Sequence, residues 1–103
     1  MINLWQTEQR HQENSPYRFI RPNSDVLPDH GKGSPVQYTG MTWSGFRPSD
    51  DACQYGYLIP SNMFAAVVLR YVAEIARAVY QDTQLAVAAT ALQKQIDDGI
   101  RKY

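Results

Sequence analysis

The sequence has a single cysteine, Cys53, among its 103 residues. No disulfide can form within the chain, so cysteine usage does not reveal a redox compartment. Histidine is nearly as scarce: His11 and His30 stand alone, and no Cys/His pair has zinc spacing. Charge of one sign is not in excess. Ten basic residues balance ten acidic ones, and no basic stripe or acidic tail stands out, which argues against nucleic acid as a partner. Long apolar runs are missing too. Residues 63–72 are interrupted by Arg70, and Glu74 and Arg77 follow, so no run of about 18 apolar residues is expected to span a membrane. Residues 1–6 lack a basic flank followed by an apolar core, so no signal peptide is expected. No Ser/His/Asp set or phosphate loop appears, since Gly31-Lys32-Gly33 is too short to count as one. A soluble chain of one domain or less, cytoplasmic by default, is the expectation.

Residues 2–12 read as the tail of a helix, ended by Ser15-Pro16, because the residue before proline is pushed out of the helical region. Residues 17–21 (YRFIR) alternate apolar and basic, a short strand or extended pattern. Residues 22–25 (PNSD) are a turn signal. From Pro28 to Pro60 little is periodic, although residues 36–39 (VQYT) could make a short strand. Such a stretch is long for a compact domain, where loops beyond about 12–15 residues are uncommon and usually functional. It is also too aromatic for a linker.

Two helices follow. The first is expected over 62–80, with Ser61 as N-cap after Pro60. Phe64, Val67, Val68, Tyr71, Val72, Ile75 and Val79 make one apolar face. Alanines and Leu69 make most of the remainder, and Arg70, Glu74 and Arg77 form a narrow polar stripe. A helix apolar nearly all round is buried on most sides. Asp82 or Thr83 caps the second helix, expected over 84–98 with Gly99 as its stop. Its stripe is Leu85, Ala88, Ala89, Leu92 and Ile96. The fold class is therefore all-α: a long aromatic-rich loop followed by an αα-hairpin. One hairpin partner cannot cover a helix that is apolar on several sides, so a larger helical domain or an oligomer is implied.

The chemistry concentrates in residues 40–64, GMTWSGFRPSDDACQYGYLIPSNMF. Trp43, Phe46, Tyr55 and Tyr57 offer aromatic faces for the C–H side of a sugar ring. Arg47 carries five donors in a fixed fork, and Asp50 and Asp51 are acceptors for hydroxyl groups. Each residue also has a structural reading. Arg47 with Asp50 or Asp51 can be an ion pair, and Trp43 a core anchor. Phe46 and Leu58 read as core, Ser61 as a cap, Cys53 as a small buried hydrophobe and His30 as a loop residue. Asp50 and Asp51 do not suit the acid and base of a glycosidase, which lie roughly 5 to 9.5 Å apart across the scissile bond. Neighbouring side chains usually point away from each other.

The run TGMTWSGFRPSDDACQYGYLIPSNMFA, residues 39–65, resembles a signature block of glycoside hydrolase family 125, the exo-α-1,6-mannosidases. Residues 17–21, 25–27 and 31–36 and the alanine-rich hairpin are also similar to that family, and 1–14 match less clearly. The resemblance implies a segment of an (α/α)6 barrel and metal-independent, inverting hydrolysis of terminal α-1,6-mannose, with no cofactor. The family's acid lies in an upstream segment resembling YEIDSLCYP and its base in a downstream one resembling HESF. Neither string occurs here, and Glu8, Glu13 and Glu74 lie in other contexts. No catalytic residue is therefore assigned. The motif residues carried over as mannose contacts are Trp43, Ser44, Arg47, Ser49, Asp50 and Asp51.

On this reading residues 1–103 are part of a catalytic domain, with 15–61 as substrate wall, 62–80 as inner helix and 84–98 as outer helix. The expected partners are a mannose-containing oligosaccharide and the remaining segments of the same enzyme, with no nucleic acid and no membrane. The chain looks like an interior segment with its own start methionine, from a gene fragment, a truncated reading frame or a split gene. A non-catalytic mannoside-binding module and a structural helical oligomer are the alternatives.

Overall fold

The chain builds α1 (Ile2–Gln9), α2 (His11–Asn14), α3 (Ile59–Ala78) and α4 (Thr83–Lys102), with no strand among the described residues. The computed structural model describes residues 1–20, 27, 30–47 and 55–103. The expectations placed on 22–25, Pro28, Pro48, Ser49, Asp50, Asp51 and Cys53 lie outside the described residues. Residues 17–20 and 36–39 join no strand. Instead the Phe19 N–H donates to the Gly31 carbonyl at 2.8 Å, a loop-to-loop bond.

α3 begins at Ile59, three residues ahead of expectation, with Leu58 as N-cap and no side-chain cap. The reason is Pro60. In the first turn its missing N–H is one the helix could not have used, and its fixed φ already suits a helix. Ser61 is thus inside the helix rather than its cap. α3 ends at Ala78, where the chain turns through Gln81 in the left-handed region (φ 50°). The Asp82 N–H closes the helix end on the Ala76 carbonyl at 2.8 Å. The Asp82 carboxylate then caps α4 by accepting from the Leu85 N–H at 3.0 Å.

α4 does not stop at Gly99 but continues to Lys102. Gly99 is small for a packing reason: a Cβ there would collide with the Thr39 carbonyl and lie 3.2 Å from the Met41 N–H. Gly40, opposite, has φ +90°, and a Cβ on it would strike the Gln95 carbonyl. The loop backbone thus rests directly on the α4 backbone.

Ala65, Ala66, Leu69 and Ala73 of α3 pack against Ala89, Leu92 and Ile96 of α4 in one buried cluster, with Ile2 and Trp5 of α1 along its edge. Small side chains let the two helix axes approach, so the alanine side of α3 faces the hairpin. The larger side chains take the other side. Phe64, Val67, Tyr71 and Ile75 are 50–69 % exposed, so within this segment one hairpin partner leaves much of the helix uncovered. Among the described residues α4 supplies most of its cover, with Ile2 and Trp5 of α1 and the loop at Thr42 adding contacts at the edge.

Two global measures agree. The accessible surface is 6942 Å², against about 5,900 Å² for a self-contained protein of 11.7 kDa. The radius of gyration is 14.8 Å, against about 13 Å for a compact domain of this length. By length and composition alone α3 is also apolar enough to cross a membrane. A window that ends before Arg77 holds only Arg70 and Glu74 as charges, which corrects the reading from uninterrupted runs. Core helices of globular proteins meet the same criterion.

Candidate functional site

The loop over 40–47 has no ladder to satisfy its backbone, and its neighbours supply the missing partners. Asn62, fully buried in the first turn of α3, accepts from the Thr42 N–H at 2.8 Å. Its amide donates to the carbonyls of Thr42 and Leu58, both at 3.0 Å. The Thr42 hydroxyl donates to the Trp5 carbonyl at 3.1 Å. The Gln9 amide donates to the Gly40 carbonyl at 2.6 Å and to the Gln95 side chain at 3.1 Å. The Ser44 N–H donates to the Gly56 carbonyl at 2.8 Å. α1 and the start of α3 therefore grip the loop from both sides.

Trp43 is the centre of this arrangement and is only 9 % exposed. Its backbone N–H donates to the Glu8 carbonyl at 3.2 Å. The His11 ring stacks on its indole at 3.5 Å between centroids and 7° between planes, and Tyr17 leans on it at 5.6 Å. Glycines line its edge. A Cβ at Gly56 would sit 2.5 Å from Cδ1, one at Gly33 2.7 Å from Cζ2 and one at Gly45 2.9 Å from Cη2. The indole N–H is buried and has no hydrogen-bond partner among the described residues.

A cavity of about 380 Å³ opens beside Trp43. Trp5, Tyr17, Trp43 and Phe64 give it aromatic lining, and Glu8, Ser44 and Ser61 give it polar groups. Of the six expected contacts, Trp43 and Ser44 meet here. Arg47 is exposed and does not line the cavity. Ser49, Asp50 and Asp51 lie outside the described residues. Among the other aromatics, Phe46 sits edge-on to Phe19 at 4.9 Å and Tyr55 is exposed. The Tyr57 hydroxyl donates to the Gln37 carbonyl at 2.8 Å, and burial pushes its phenol above the ordinary value of 10.0. Among the described residues no cluster of His, Cys, Asp and Glu is placed to hold a metal ion.

Sequence reasoning missed Glu8, His11, Tyr17 and Ser61 as parts of this site. A signal was present for the first two. Glu8 and His11 are three residues apart, the spacing that brings side chains together on a helix. The break at Arg10 (φ −118°, ψ 47°) still leaves their side chains 2.5 Å apart.

The fold and this loop are those of a glycoside hydrolase segment. The family model for metal-independent alpha-mannosidases (GH125) matches residues 1–103, and the chain belongs to that family. A metal-independent alpha-mannosidase from Streptococcus pneumoniae, solved as a non-productive substrate complex with alpha-1,6-mannobiose, superposes with a TM-score of 0.94 at 51 % identity. The match covers 99 % of this chain and 25 % of that one. The meiotically up-regulated gene 157 protein of Schizosaccharomyces pombe is 32 % identical over 93 residues, 84 % of this chain and 18 % of its own length. The chain thus spans a quarter or less of these relatives. It is an all-α segment of an α/α barrel, and by family a glycoside hydrolase.

Proposed function

We propose that this chain is a segment of an inverting exo-α-1,6-mannosidase and supplies part of its mannose-binding wall through Trp43, Ser44, Arg47, Ser49, Asp50 and Asp51. The observation that carries the reading is the cavity beside Trp43. At about 380 Å³ it lies within the size range of small-ligand sites, and it combines aromatic rings with hydroxyl and carboxylate groups. The mannobiose complex of the similar Streptococcus pneumoniae enzyme supports a mannoside as the occupant.

In this reading α3 is an inner helix of the barrel, α4 its outer companion and the loop ahead of α3 the substrate wall. The partner is the remainder of the enzyme, which covers Phe64, Val67, Tyr71 and Ile75 and brings the catalytic carboxylates. The chain alone is inactive. Incubating it with α-1,6-mannobiose is expected to release no mannose, and any turnover that follows the protein through purification sinks the inactivity claim. Calorimetry with the same disaccharide is expected to show weak binding that Arg47→Ala and Asp50→Ala each reduce about tenfold, the scale of one charge-assisted hydrogen bond. Absence of heat at millimolar sugar counts against the wall.

The uncovered face of α3 supports one second reading, a helical oligomer in which the aromatics only pack. Sedimentation separates the two: a discrete folded oligomer favours it, a monomer favours the enzyme segment.

A further inference from the structure

Glu8, at the edge of the cavity, forms a buried polar pair with His11 against the Trp43 indole. We infer that Glu8 and His11 are positioning residues, which fix the plane and depth of the Trp43 indole in the binding wall. The ligand in this inference rests on the mannoside reading above.

Both nitrogens of the His11 ring are engaged. Nδ1 meets the Glu8 carboxylate at 2.5 Å and Nε2 meets the Lys32 carbonyl at 2.5 Å. A carbonyl only accepts, so Nε2 carries a proton, and a second proton lies between Nδ1 and Glu8. The pair is net neutral, and the ring cannot turn without losing both bonds. The other Glu8 oxygen accepts from the Ser15 hydroxyl at 2.5 Å, and that hydroxyl accepts from the Tyr17 N–H at 3.1 Å. Glu8 therefore acts on Trp43 twice: its backbone carbonyl holds the Trp43 N–H, and its carboxylate orients the ring stacked on the indole.

An apolar pair of the same size would fill this space at lower desolvation cost. Directional bonds add a fixed orientation, which apolar packing does not supply. That difference makes the inference testable. The sequence has two tryptophans, Trp5 and Trp43, so Trp5→Phe leaves Trp43 as the only indole in the near-ultraviolet circular dichroism.

In that background Glu8→Leu and His11→Phe preserve volume but remove the bonds, and both are expected to lose most of the Trp43 band while helicity is retained. Glu8→Gln can donate to Nδ1 and accept from Ser15, and is expected to keep the band. If Glu8→Leu and His11→Phe leave the band unchanged, the pair only fills space and the inference is overturned. If both unfold the chain, Ser15→Ala decides: a weakened band with intact helicity supports positioning, an unchanged band overturns it.

Calorimetry with α-1,6-mannobiose supplies the second arm. Glu8→Leu is expected to weaken binding about tenfold and Glu8→Gln by no more than about twofold. An altered band with unaltered affinity overturns the role in the wall. No heat with the unsubstituted chain overturns the mannoside reading and removes the ligand from the inference, while the band still reports whether Glu8 and His11 hold the ring.

Discussion

Inside the α3–α4 hairpin, beyond the first turn of each helix, backbone N–H groups meet carbonyls four residues back, so the side chains between the helices are free to be small and apolar: Ala65, Ala66, Leu69 and Ala73 against Ala89, Leu92 and Ile96. Around Trp43 the backbone has no such ladder. There Asn62 and Gln9 spend their side chains on loop carbonyls and amides, and the Trp5 and Glu8 carbonyls accept from the Thr42 hydroxyl and the Trp43 N–H. One region is joined by area, which is tolerant of detail; the other by individual directed bonds, which are not. The hairpin also leaves a whole apolar face of α3 uncovered, whereas the loop is closed tightly on nearly every side of its tryptophan.

The largest break in this contrast is expected from Leu69→Ala, which opens a cavity at a fully buried hairpin position. A loss of about 3 kcal/mol is expected, read as a fall in the urea midpoint with all probes moving together. Asn62→Ala attacks the other region. It strands the Thr42 N–H and C=O and is expected to cost about 2 kcal/mol, with the Trp43 near-ultraviolet signal lost before helicity. Coincident loss of both signals would show that loop and hairpin melt as one unit.

A smaller, pH-dependent effect is expected from Tyr57. Its folded phenol is held above the ordinary 10.0 by burial, so on raising the pH the unfolded chain releases this proton first. Stability is therefore fully present below about pH 10 and declines as the pH rises through the folded value. Tyr57→Phe is expected to flatten this alkaline decline in Tm, and a decline of equal slope in the variant would refute the assignment. Least of all is expected from Lys94→Ala. The Lys94–Asp98 pair is exposed on α4, and no measurable change in the urea midpoint should follow.

The helices were legible because 3.6-residue periodicity survives in any context. Their ends were less so. Pro60 looked like a boundary but sits inside the first turn of α3, and Gly99 looked like a stop but serves a contact with Thr39. Which face of α3 is buried was legible only in part: hydropathy favours Phe64 and Tyr71, whereas the available partner fits the alanines. The block around Trp43 was visible by composition and by family likeness. Glu8 and His11 were visible only as a pair at i,i+3 spacing, which does not reveal that the pair packs on a side chain more than thirty positions away.

The glycines around Trp43 carry a consequence for sequence change. Gly56, Gly33 and Gly45 each occupy a place where a Cβ would meet the indole, so none can enlarge while the indole stays. Nor can the indole shrink without leaving a void walled by three residues that have no side chain to fill it. These four positions form a mutational lock, in which single steps are penalised in both directions and only a concerted replacement opens another path.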